Sequence, residues 1–99
     1  MKNNVSEDYK IILISIIQKY LPYCTIYLFG SRARGTNQSG ADIDLALDNK
    51  QKIPFDTILS IYNDIDETTI PLFVDIVDIN SASLDLKMEI EKEGIKWTN

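Results

Sequence analysis

The stretch Thr25–Asp44, read TIYLFGSRARGTNQSGADID, restricts what this chain can fold into more than any other. It opens with residues of strand-forming character, Thr25 to Phe29, in which β-branched Thr25 and Ile26 accompany aromatic Tyr27 and Phe29. Gly30 and Ser31 break the run. Gly30 has no Cβ, so a ligand can come close to its backbone. Ser31 starts what reads as a single helical turn, whose first N–H groups lack partners within the helix and point at anything anionic. A polar loop, Thr36 to Gly40, leads to a second strand, about Asp42 to Leu47. On a strand, Asp42 and Asp44 leave one face while Ile43, Leu45 and Leu47 leave the other. Two carboxylates so placed repel by roughly 1–4 kcal/mol at the dielectric of a protein surface. A cation between them removes that cost, and alternate carboxylates beside a phosphate site suit Mg²⁺.

The flanking segments supply the layers around this unit. Ser6 is an N-cap, with Glu7 and Asp8 in the first turn of a helix that runs to about Tyr20 and stops before Pro22. Tyr9, Ile12, Leu13, Ile16 and Tyr20 recur at helical spacing and form its core face, and Ile14, Ile17 and Leu21 widen the apolar arc. So wide an arc serves either a helix packed on both sides within its own fold or one that offers a surface to a partner. A second long helix is expected from about Phe55 to Asp66, and a third strand from about Leu72 to Ile79, with Phe73, Asp75 and Val77 on one face. The segment from about Ser81 to Glu93 alternates like a strand at Leu84, Leu86, Met88 and Ile90. Its Leu, Lys, Met and Glu content and Gly94 at its end predict a helix instead. Trp97 reads as a packing or interface residue. The expected class is α/β (α+β), a small mixed β-sheet packed with helices, in one domain spanning 1–99.

Composition excludes several functions. The 99 residues carry a net charge of −5, which opposes nucleic-acid binding by a broad basic surface. Arg32 and Arg34 form a basic cluster beside the Gly-Ser turn, suited to a small anionic ligand more than to a duplex, while the acidic protein around it also suits a basic protein partner. There is no histidine, so a Ser-His-Asp triad or a His-containing zinc site is impossible. The lone Cys24 makes no internal disulfide and reads as a small buried apolar residue of a reducing, cytoplasmic protein. Met1 to Asp8 is too polar for a secretory leader, and Ile11–Ile17 is too short to span a membrane.

The run Gly30-Ser31-Arg32-Ala33-Arg34-Gly35, followed by Ala41-Asp42-Ile43-Asp44-Leu45-Ala46, resembles the signature of the DNA polymerase β-like nucleotidyltransferases. More narrowly it is similar to the minimal nucleotidyltransferases, the MntA-type antitoxins paired with HEPN-domain toxins. The likeness covers about Leu28 to Asp78. It implies the nucleotidyltransferase fold and Mg²⁺-dependent transfer of AMP from ATP to a tyrosine of the partner RNase, within a hetero-oligomer. It also implies two Mg²⁺ ions, held by Asp42, Asp44 and a third carboxylate. Asp75 lies mid-strand between Val74 and Ile76, where a lone carboxylate is costly, and the likeness points to it as well. Asp78, the competitor, falls on the opposite face by alternation. Gly30 and Ser31 are then expected to hold the triphosphate, with Arg32 and Arg34 either neutralising phosphate or simply solvated. Gly30→Val is expected to block ATP with little change in melting temperature. Two other classes remain open: an antitoxin that acts by contact alone, and a transferase for a small molecule or RNA end with a site shared between subunits.

Overall fold

The fold forms around the apolar alternation of the two strands that flank the Gly-Ser turn. The computed structural model describes residues 5–98, so Met1–Asn4 of the N-terminal stretch read above, and Asn99, lie outside the described residues. Along the chain run α1 (Glu7–Tyr20), β1 (Thr25–Phe29), α2 (Gly30–Arg34), β2 (Ile43–Asp48), α3 (Phe55–Asp66), β3 (Val74–Asp78), α4 (Leu84–Glu93) and β4 (Ile95–Lys96). A 3₁₀ turn, Ile79–Ser81, separates β3 from α4. The sheet order is β3-β2-β1-β4, with β2 and β3 parallel and the other pairs antiparallel. α3 is the crossover that a parallel neighbour requires.

The two faces of the sheet differ in depth. Ile26, Leu28, Ile43, Leu45 and Leu47 leave one face and are fully buried beneath α1 and α3. The opposite face carries a much smaller buried cluster, Phe29, Ala46 and Ile90, in which α4 packs across the strands. α1 is capped as expected, the Ser6 hydroxyl accepting from the Tyr9 N–H at 3.3 Å. Its innermost residues are Leu13 and Ile17, followed by Leu21, so the buried stripe is centred away from Ile12 and Ile16. Ile11 is left exposed. α1 and α3 are pinned by Asp64, which accepts from the Tyr20 hydroxyl at 2.8 Å and pairs with Lys19.

Three expectations are corrected. The strand β4 was not anticipated: Ile95 and Lys96 pair with Leu28 and Tyr27, and the Trp97 N–H donates to the Ile26 carbonyl, seating Trp97 in the main core. A two-residue strand is too short for a periodic signal. Gly94 ends the helix as expected, but with φ −69° rather than in the left-handed region. It is required for a different reason: a Cβ there would stand 2.5 Å from the Ile90 carbonyl oxygen. β3 is also shorter than expected at both ends, and its last residue, Asp78, uses its side chain as a cap. Its carboxylate accepts from the backbone N–H groups of Ile53 (2.8 Å) and Asn80 (3.0 Å) and from the Ser81 hydroxyl (3.2 Å).

Asp78 therefore holds the loop before α3 and the turn after β3 together. Asp78→Ala leaves two backbone donors short of partners and is expected to lower stability by about 1–3 kcal/mol. Chemical denaturation of the variant beside wild type measures the loss.

Candidate active site

Sheet register alone brings the sequence-predicted carboxylates to the glycine turn. Phe29 pairs with Asp44 across β1 and β2, and Asp44 pairs with Asp75 across β2 and β3. Residues paired in register share a face, so Asp44 and Asp75 stand side by side on adjacent strands, about 4.8 Å apart along the sheet. That face is the one crossed by α4. Asp42 precedes the first residue of β2 and is exposed, whereas Asp44 is half-buried. Asp78 pairs with Leu47 and takes no part in this row.

Gly30 ends β1 and begins α2 with φ +76°, a left-handed conformation that favours glycine. A Cβ at this position would lie 2.3 Å from the Asp44 Oδ2. The carboxylate thus rests directly on the glycine backbone, with Ser31 next along the turn. This corrects the expectation that Gly30→Val leaves the melting temperature little changed. The bareness of Gly30 is demanded first by Asp44, so a side chain there disturbs the protein before any ligand arrives. Gly35 closes α2 in the left-handed region at φ +77°, with the Thr36 N–H donating to the Ser31 carbonyl.

The two arginines go separate ways. Arg32 is 8% exposed, and its guanidinium is turned to the backbone. Nε donates to the carbonyls of Ala41 (3.0 Å) and Asp42 (3.2 Å), and Nη2 to that of Ala41 at 2.8 Å. It ties the glycine turn to the entry of the carboxylate strand, a planar fork with fixed donor directions. Arg34 lies on the surface and pairs with Glu93 (3.2 Å) and Glu89 (3.6 Å) of α4. Exposed pairs of this kind contribute about 0–1 kcal/mol. An open cleft of about 730 Å³ is lined by Arg34 and α4, including Glu89.

Burial raises Asp44 above the ordinary carboxylate range, and the charges of Asp75, Asp42 and Glu89 raise it further. Sequence reasoning missed Glu89, because an ambiguous helix gave it no face. It also missed Tyr62, which reads as one more apolar position of α3 yet places its hydroxyl 3.4 Å from the Asp75 Oδ1. Cys24 is buried and its thiol is pushed up to about 12 by that burial, so it is no nucleophile at neutral pH.

Among the described residues, no three acidic, thiol or imidazole side chains are gathered closely enough to hold a metal ion as they stand. The donor set nonetheless fits a hard divalent cation. It is all oxygen, it sits on the glycine turn, and its central member is destabilised as an anion by its like-charged neighbours.

Known proteins match this architecture. The polymerase beta nucleotidyltransferase family model matches residues 12–97. A probable protein adenylyltransferase, MntA, of Haemophilus influenzae is 30% identical over 81 residues, covering 82% of this chain and 71% of its own. A toxin–antitoxin crystal structure with AMP-PNP is 26% identical with a TM-score of 0.78, covering 95% of this chain and 74% of that one. The complex of a tri-AMPylated HEPN toxin with its MNT antitoxin, from Shewanella oneidensis, has a TM-score of 0.64. It covers 91% of this chain and 69% of that one at 23% identity, a likeness of fold.

Two outcomes follow from the Gly30–Asp44 contact. Gly30→Ala combines a left-handed backbone with a displaced carboxylate, so it should lose about 1–3 kcal/mol of stability, read by denaturation. Asp44→Asn should act in the opposite direction. Because the folded protein raises this group, its contribution is fully present below the unfolded value of about 3.9 and is lost as pH rises through the raised value. Asp44→Asn should therefore melt above wild type near about pH 7, with the difference shrinking as pH falls toward about 4. Thermal melts across that range check both sign and trend.

Proposed function

The chain belongs to the polymerase beta nucleotidyltransferase family, and on that footing we propose that it is a protein adenylyltransferase antitoxin, moving AMP from ATP to a tyrosine of a HEPN-type toxin. The observation that carries the reading is the row Gly30–Asp44–Asp75, which joins an anion-binding turn to adjacent carboxylates. The Haemophilus influenzae relative bears that activity in its name, and toxin–antitoxin pairs recur among the structural neighbours, one with an ATP analogue and one with an AMPylated toxin.

In this assignment the N–H groups at Gly30 and Ser31, with the Ser31 hydroxyl, hold the triphosphate. The acceptor tyrosine oxygen attacks the α-phosphorus as the bond to the bridging β-oxygen breaks, and pyrophosphate leaves. Asp75 takes the phenolic proton. Asp42, Asp44 and Asp75 would hold two Mg²⁺ ions, which when bound supply charge neutralisation at the attacking and leaving oxygens. Arg32 holds Asp42 in place through the backbone rather than reaching phosphate with the same guanidinium. Arg34, at the surface beside α4, is the arginine with access to a nucleotide.

The protein is read as a cytoplasmic member of a hetero-oligomer. No helix of the described residues is long and apolar enough to cross a membrane, and the one cysteine is free.

Incubating the protein with α-labelled ATP, Mg²⁺ and its partner should label the partner. Asp75→Asn should cut the rate by at least about 10²-fold, the span expected for a lost acid–base group. Neutralisation of the partner without label transfer would establish the contact-only antitoxin instead. Label on a nucleic acid or small molecule would establish a different acceptor.

A further inference from the structure

Asp75 rides on β3, an edge strand whose outer side has no strand neighbour among the described residues. A carboxylate that must keep a fixed position beside Asp44 therefore sits on a strand held by a ladder on one side only. One side chain compensates from α3. The Tyr62 hydroxyl oxygen accepts from the Ile76 N–H at 2.8 Å, on the residue directly after Asp75. With that lone pair engaged, its proton is free to donate, and the Asp75 Oδ1 lies 3.4 Å away. The ring is half-buried against the main core, which fixes where the hydroxyl can stand.

We infer that Tyr62 is a positioning residue for the transfer reaction: its hydroxyl clamps the outer edge of β3 and orients Asp75 toward Asp44. The inference rests on the nucleotidyltransferase reading of Asp75. The backbone bond, short and well formed, sets the height of Asp75 in the sheet. The carboxylate contact is longer than a full hydrogen bond, as such contacts often are before substrate binds, and selects the side-chain rotamer. One oxygen of Asp75 is thereby turned to Tyr62, and the other is left to a ligand. Partners of this kind, behind a ligating group, alter metal affinity when removed although they never touch the metal.

The test is Mn²⁺ uptake, followed by electron paramagnetic resonance with a non-hydrolysable ATP analogue present. Tyr62→Phe keeps the ring and removes only the hydroxyl, and should weaken Mn²⁺ binding about tenfold. Tyr20→Phe is the control. It deletes another tyrosine–carboxylate bond, to Asp64, which joins α1 to α3 and touches none of the site's carboxylates, and should leave Mn²⁺ binding unchanged. If Tyr62 acts through Asp75, adding Tyr62→Phe to Asp75→Asn should cause no further loss, whereas independent effects would add. A folded Tyr62→Phe protein with wild-type affinity overturns the inference, as does full additivity with Asp75→Asn. A wild-type protein that takes up no Mn²⁺ overturns the reading of the site itself.

Discussion

The contact between Gly30 and Asp44 is the constraint on which the rest of the structure depends. A carboxylate oxygen occupies the space where any other residue would carry its Cβ, so the turn and the acidic strand can approach only through glycine. The antiparallel register of β1 and β2 makes that approach unavoidable, because Phe29 and Asp44 are partners and Gly30 follows at once. Everything beyond follows from holding this contact in place. Arg32 ties the far end of the turn to the backbone at Ala41 and Asp42, and β3 carries Asp75 to the other side of Asp44. A guanidinium suits the first task because it offers several donors in one rigid plane.

The contact also sets an electrostatic cost. Asp44 is partly desolvated and faces three other carboxylates, Asp75, Asp42 and Glu89, so its anionic form is disfavoured in the protein alone. Such a site lowers stability at neutral pH unless a cation or a cationic ligand joins it. This is the usual relation between a functional site and the fold that carries it, in which groups that serve the ligand are poorly served without it.

How much of this was legible in the sequence depends on the range of the interaction. Alternation fixed the faces of Asp44, Asp75 and Asp78, because a strand has period two and tolerates no half-step. The caps at Ser6 and the breaks at Pro22 and Gly30 are local chemistry and were equally readable. What stayed hidden is long-range. The spacing of Arg32 cannot tell a phosphate ligand from a clamp on carbonyls nine and ten residues away. Gly94 looks like a helix cap by position, but its bareness answers to the Ile90 carbonyl. The apolar arc of α1 was visible, whereas its innermost line, Leu13–Ile17–Leu21, depends on where α3 and the sheet lie. Glu89 gained its meaning only when α4 crossed the acidic face.

That crossing explains the unequal faces of the sheet. One face is apolar save for Asp78 at the end of β3, is covered by two long helices and holds nearly all the fully buried side chains. The other carries the row of carboxylates, and its apolar packing contracts to Phe29, Ala46 and Ile90 under a single helix. Stability and chemistry are therefore assigned to opposite sides of the same strands. Each residue of β2 contributes to one or the other according to parity, Ile43 and Leu45 to the core and Asp44 to the site. A sheet divides the tasks in this way because adjacent residues never share an environment. The carboxylates can then be crowded and poorly solvated without loosening the core a few ångströms beneath them. The arrangement asks only that register hold at β3, which is laddered on one side and which a side chain from α3 reaches over to hold.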